Sequence, residues 1–209
     1  DSTLLPEQAL KTLLSISHTG RLSGSLTLYH QHFFRFIYLR PDGLRTTIRG
    51  TFPAFRYDQT AALIAGADLD LNFAISPALS WAGKAAWLYA QNLADGLPLI
   101  FMPANWFENS LSYEWKTIRQ SRFYLSIGIR HTFEQARVPE GVDFIPPPPA
   151  YTLLNAHAGA SKKTGMGTAS LTLGCDNLLN TAYRDYLDRF RYFADAPGRN
   201  FSVKLTFTF

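Results

Sequence analysis

"NFSVKLTFTF", residues 200–209, closes the chain with Phe201, Val203, Leu205, Phe207 and Phe209 at every second position and Ser202, Lys204, Thr206 and Thr208 between them. Successive side chains of a strand point to opposite sides, so strict alternation predicts a β-strand with one apolar and one polar face. A soluble protein has little use for such a strand at its very end, where nothing follows to cover the aromatic face. A membrane barrel does, because lipid covers it.

The same pattern recurs upstream. In "AALIAGADLDLNFAIS", residues 61–76, Leu63, Ala65, Ala67, Leu69, Leu71, Phe73 and Ile75 take one face, and Ile64, Gly66, Asp68, Asp70 and Asn72 take the other. Two carboxylates are costly in a dry core but comfortable facing a wet lumen. Alternation predicts further strands near Lys11–Ser17, Leu22–Leu39, Leu79–Ala90, Phe107–Lys116, Phe123–Phe133, Tyr151–Ala160 and Thr168–Asp176. That makes about nine, most of them reaching the length a tilted strand needs to cross a bilayer. "LTLYHQHFFRFIYL" exceeds a span and is expected to project beyond the membrane.

The connections alternate as well. "HTGR", "SPA", "IRQS" and "SKKTGMG" are short and carry turn residues. Between them lie long segments: "RPDGLRTTIRGTFPAFRYDQT", "QNLADGLPLIFMPANW", "EQARVPEGVDFIPPPPA" and "NLLNTAYRDYLDRFRYFADAPGR". Short periplasmic turns and long outer loops produce that parity, whereas a β-sandwich has no reason for it. By the same parity the first and last strands both run inward. A complete single-chain barrel has an even strand number and two periplasmic ends, so the expectation is the C-terminal part of a larger barrel.

Composition agrees. Of the 209 residues 46% are apolar and 17% charged, which excludes a disordered chain. No run of eighteen apolar residues suits a transmembrane helix, and a mean hydropathy near zero is what alternating strands produce. The net charge of +4 is spread through mixed clusters such as "YRDYLDRFR", with no basic stripe for a nucleic-acid backbone. The single cysteine, Cys175, forms no intrachain disulfide and reads as a small apolar strand residue. "DSTLLPEQAL" lacks the features of an export signal, so one is expected either to have been removed or to lie further upstream.

At "GCDNLLNTAYRDYLDRFRYFADAPGRNFSVKLTFTF", residues 174–209, the chain resembles the C-terminal end of TonB-dependent outer-membrane receptors. Asn177, Leu178, Leu179 and Asn180 match an Asn-Leu-Phe-Asn motif. Tyr183 follows shortly, "PGRNF" supplies Gly198, Arg199 and Asn200, and the terminus is aromatic. "FRYDQTAALIAGADLDL" resembles a loop-to-strand passage of the same family, with Asp68 where Glu is usual. "PLIFMPANW" and "PPPPAYTLLNAHAG" resemble its outer loops and late strands. The resemblance implies a barrel of about twenty-two strands, set in outer-membrane lipid of a bacterium, that imports an iron–siderophore, haem, another metal complex or a glycan. It also implies a plug domain and a TonB-contacting segment, both absent from these residues. Leu205, Phe207 and Phe209 resemble the signal read by the barrel assembly machinery.

Tyr183, Tyr186, Leu187, Phe190 and Phe193 follow nearly helical spacing in the last outer loop. A short helix there would present Arg184, Arg189 and Arg191 to an anionic chelate, since Arg suits carboxylate and phosphate groups. Alternatively, Asp185, Asp188 and Asp195 pair with those arginines in a solvated loop, which is the reading we favour. Tyr57 and Gln59, in the loop-to-strand passage, complete the candidate ligand contacts. His30 and His32 share a strand face and would suit a metal, but without a third ligand nearby they read as part of an interfacial girdle with Tyr29, Phe33, Phe34 and Tyr38. "IPPPP", residues 145–149, is expected to stiffen the chain before Tyr151 rather than to bind a partner. Asp68 and Asp70 have no candidate nucleophile or base beside them and read as lumen lining.

The fold expected is therefore all-β, an antiparallel transmembrane β-barrel present in part, with no catalytic residues, no metal site and no cofactor. Two other classes stay open. A small self-contained barrel with a structural or enzymatic role would close its first strand on its last, and a soluble β-sandwich binding module would pack its apolar faces together.

Overall fold

The computed structural model describes residues 4–116 and 121–209. Nine strands form one antiparallel sheet in strict sequence order, each bonded to the next: β1 Gln8–His18, β2 Leu22–Thr47, β3 Gly50–Ala74, β4 Leu79–Asn92, β5 Trp106–Lys116, β6 Ser121–Thr132, β7 Tyr151–Thr164, β8 Gly167–Asp176 and β9 Asn200–Thr208. Among the described residues no pairing joins β1 to β9. The "IRQS" turn lies outside the described residues except for Ser121.

Register carries the alternation from strand to strand. Phe201 faces Cys175, Val203 faces Leu173 and Leu205 faces Leu171. On the next strand the partners are Ala156, Ala158 and Ala160, and then Ile127, Leu125 and Phe123. A one-residue slip would turn every side chain over, so the shared apolar face pins the register. That face is uncovered: Leu173 is 47% and Val203 74% exposed. Aromatic rings border it. Tyr113, Trp115 and Phe123 stack near the short-turn end, while Phe107, His131 and Phe133 cluster at the other. From Phe107 to Trp115 the strand climbs about 27 Å, close to the apolar band of an outer-membrane barrel.

The opposite face is polar. Asp70 pairs with Lys84 at 3.3 Å and Glu108 with Arg130 at 3.5 Å. Lys84 stands directly opposite Glu108, so four adjacent strands carry one row of alternating charge. Tyr29 lies over Gly66 and Tyr124 over Gly159, each ring filling the space where a Cβ would stand. Near the outer end the segment 93–105 folds back, and Leu99 packs with Phe33, Ala62 and Ala90 into a small apolar core.

Two expectations change. The segment 40–60 is mostly strand: β2 and β3 continue as a two-stranded ribbon to a tight turn at Ile48 and Arg49. Its Thr, Ile and Phe residues favour strand, Gly50 takes φ 125° at the turn, and Pro41 sits at a register shift, where a missing donor costs little. Likewise β7 runs on to Thr164, so that only Gly165 and Met166 make the turn. Of the short helix considered and not favoured within 183–193, only one 3₁₀ turn forms, Arg189–Tyr192, started by Asp188, whose carboxylate accepts from the Phe190 N–H. A correction also applies to the girdle around His30. His32 meets Phe34 edge-on at 5.0 Å, but Tyr29 and Phe33 point to the other face, because alternation puts odd and even residues on opposite sides.

Candidate functional site

Four connections meet at the end of the sheet opposite the short turns: the β2–β3 ribbon and the segments 93–105, 133–150 and 177–199. The last of these is clamped at its base. Asn177 adopts φ 51°, its side chain accepts from the Thr181 N–H at 2.8 Å and donates to the Thr181 carbonyl at 2.9 Å, and its own N–H reaches Asn155. Asn180 accepts from the Arg199 N–H at 2.9 Å, and a Cβ on Gly198 would stand 2.6 Å from that side chain. The "NLLN" and "PGR" stretches are thus two halves of one hydrogen-bonded closure.

Beyond the clamp, Arg184 donates through Nε to Asp195 at 2.6 Å and through Nη1 to the Arg191 carbonyl at 2.7 Å. Arg191 turns inward. Its guanidinium donates to Asp143 and to the Pro146 carbonyl, and lies 4.7 Å and 4.6 Å from the ring centres of Tyr186 and Tyr192. Tyr192 donates to the other oxygen of Asp143 at 2.7 Å. Phe55 of the ribbon touches Phe101, Phe144 and Tyr192, with ring centres 5.5 to 6.2 Å apart. Burial raises the Tyr186 hydroxyl to about 12; burial first, and then the hydrogen bond to Asp143, raises that of Tyr192.

A cavity of about 370 Å³ lies beside this cluster, walled by Ile145, Pro146–Pro149 and Tyr151 on one side and by Tyr183, Arg184, Arg191 and Asp195 on the other. The Tyr183 ring packs against that of Tyr151, tilted by 34° with centres 4.5 Å apart. Prolines carry no N–H, so their wall offers ring surface and carbonyl acceptors only. Three of the sequence candidates, Tyr183, Arg184 and Arg191, therefore line one cavity. Arg189 stands away from it, 5.1 Å from the centre of the Phe55 ring. Tyr57 is 61% exposed on the ribbon, and Gln59 exchanges two hydrogen bonds with the backbone of Leu5. Of the three aspartates considered as arginine partners, Asp195 pairs with Arg184, Asp188 caps the 3₁₀ turn and Asp185 accepts from Tyr151. Asp143, Phe55 and Phe101 escaped the sequence reading because no local spacing links them to Arg191.

Among the described residues no group of three or more His, Cys, Asp or Glu side chains converges on a common point. His30 and His32 project from the apolar face.

An open antiparallel sheet, apolar and ring-bordered on one face and charge-laddered on the other, with long connections gathered at one end, is the wall of an outer-membrane type of barrel. The family described as TonB dependent receptor-like, beta-barrel matches residues 3–178, and the chain belongs to that family. Among solved structures, the chain superposes on one named "Copper transporter OprC" with a TM-score of 0.80 at 19% identity, over 100% of this chain and 32% of that one. The chain thus spans about a third of that protein's length, and at this identity the likeness shows the fold. No curated protein matches.

Proposed function

We propose that this chain is the C-terminal part of the barrel of an outer-membrane receptor that imports a scarce nutrient, such as an iron–siderophore, haem or another metal complex, with energy delivered by TonB through a plug domain encoded upstream. The observation that carries this reading is the sheet itself: nine membrane-length strands in the family's architecture, with the outer edges of β1 and β9 unpaired. In this reading the upstream strands complete the barrel at those edges, and outer-membrane lipid covers the apolar face. The barrel assembly machinery reads Leu205, Phe207 and Phe209. Tyr183, Arg184 and Arg191, which line the cavity, contact the cargo there, with Arg189, Tyr57 and Gln59 as further contacts at the same outer end. A small self-contained barrel would need β1 to pair with β9, and a β-sandwich would need a second sheet on the apolar face; the single sheet favours neither.

The test begins with the coding region immediately upstream of Asp1. It is expected to encode several hundred further residues in frame, ending at a signal peptide. The full-length protein is then expressed in a strain lacking its own receptors, with and without TonB. Uptake is measured for labelled ferric siderophores, haem and copper, copper being included because of the solved neighbour's name. Uptake of one cargo that disappears without TonB supports the proposal. A signal peptide abutting Asp1, or uptake indifferent to TonB, overturns it.

A further inference from the structure

Arg191 is the largest fully buried side chain among the described residues, in a chain that buries little else. Its side chain is 1% exposed and that of its partner Asp143 is 4% exposed, and further protein around the chain would only add to this burial. An ion pair taken out of water is tolerated only when its remaining donors and acceptors are also met. Here both carboxylate oxygens of Asp143 and both terminal nitrogens of Arg191 have partners: Asp143 accepts from Arg191, Tyr192 and the Phe144 N–H, and Arg191 donates to Asp143, Tyr192 and the Pro146 carbonyl. The pair joins segments 48 residues apart. Around it, Phe55 brings in the ribbon, and Phe101, whose N–H is 3.4 Å from the Tyr186 hydroxyl, brings in the segment 93–105. All four outer connections meet at one charge pair.

We propose that Asp143 and Arg191 form a latch that binds the four outer connections of this part of the barrel into one cap, which opens and closes as a unit. The reason for unity is physical. Separating the pair strands two charges in a dry site, so partial opening is disfavoured, and once water enters, the rings of Tyr186, Tyr192, Phe55 and Phe144 lose their common packing together. The cavity walled by Pro146–Pro149 and Tyr183 shares Arg191 with the latch, so opening the latch also opens that cavity. The latch is a statement about the loops alone and stands whatever the cargo.

The test uses the full-length protein in lipid. Spin labels at Glu140 and Phe193, both exposed and in different loops, are introduced with Cys175→Ala, and amide exchange is followed in parallel. The intact protein is expected to give one narrow interlabel distance. Asp143→Asn is expected to broaden it and to accelerate exchange at Phe101, Phe144 and residues 186–192 together, by about a hundredfold, with β6 to β8 unchanged. Tyr192→Phe keeps the ring and removes the hydroxyl's two hydrogen bonds, the one it donates to Asp143 and the one it accepts from Arg191, while leaving the ion pair in place, so it folds normally and gives the same pattern at about tenfold. The apolar pair Asp143→Leu with Arg191→Met leaves no unpaired charge and is expected to restore the narrow distance. Acceleration confined to one loop, or an unchanged distance in Asp143→Asn, overturns the latch. So does an apolar pair as loose as Asp143→Asn, which would mean that shape rather than pairing holds the loops.

Discussion

Leu173 and Arg191 invert the usual placement of their kinds. The leucine, on β8, is 47% exposed, whereas the arginine, in the last outer segment, is 1% exposed. In the wall every strand is satisfied by its two neighbours: Leu173 has Ala158 on one side and Val203 on the other, and its backbone is fully used in the ladder. Apolar side chains are then free to face outward, where in a barrel of this family lipid receives them. In the outer segments other than the ribbon, 93–105, 133–150 and 177–199, the described residues form no ladder beyond the single Gln91–Pro98 bridge. The chain there must meet its polar groups one by one, and it does so by drawing a guanidinium, a carboxylate and four aromatic rings into a single dry knot. The wall depends on what surrounds the protein; the knot depends on the protein alone.

The sharpest way to break this contrast is to charge the wall. Leu173→Arg is expected to cost about 2–4 kcal/mol of folding free energy in lipid vesicles, whereas Thr172→Arg, one residue away on the polar face, is expected to cost little. Equal costs for the two would mean that the faces have been misread.

A smaller loss is expected within the polar face itself. In Gly159→Ala the new Cβ would stand 2.1 Å from the Tyr124 ring, which must swing out, at about 1–3 kcal/mol. Tyr124→Ala in the same protein is expected to relieve most of that added cost in a denaturant titration.

The knot is expected to respond to alkali. Tyr186 ionises at about 12 instead of 10, so its folded environment favours the neutral phenol. That contribution is complete below pH 10 and is lost as pH rises from 10 through about 12. An ultraviolet titration is expected to show Tyr186 and Tyr192 ionising after the exposed tyrosines, accompanied by loosening of the outer segments with the strands retained. Tyr186→Phe should remove one late-ionising group.

The smallest effect belongs to the charge row. Lys84 and Asp70 remain half-exposed, so Lys84→Ala is expected to change stability by about 1 kcal/mol or less, a difference that added salt should shrink further.

The wall was legible in the sequence because its rule is local. Alternation at a period of two names the strands and their faces without reference to any distant residue, and the positions of the nine strands follow to within a few residues, apart from the extension of β2 and β3. That ribbon was hidden because Pro41, Pro53 and two glycines punctuate it, and punctuation reads as loop when only a neighbouring strand can show that the backbone is paired. The loop candidates Tyr183, Arg184 and Arg191 were legible as residue types suited to an anion, but their surroundings were not. Nothing near Arg191 in sequence distinguishes it from Arg189, yet one is enclosed and the other lies over an aromatic ring near the surface.

By itself, then, the sequence determined the all-β class, the two chemically opposite faces and the strand order, since each follows from the fixed geometry of an extended chain and from pairing between neighbours. The tertiary structure alone decided that Arg191 meets Asp143, that Phe55 and Phe101 join them, and that the tetraproline segment walls a cavity with Tyr183. The Arg191–Pro146, Arg191–Asp143 and Phe101–Tyr186 contacts span 45, 48 and 85 residues, where no periodicity reaches, and they form only once the sheet has brought four separate connections to the same end.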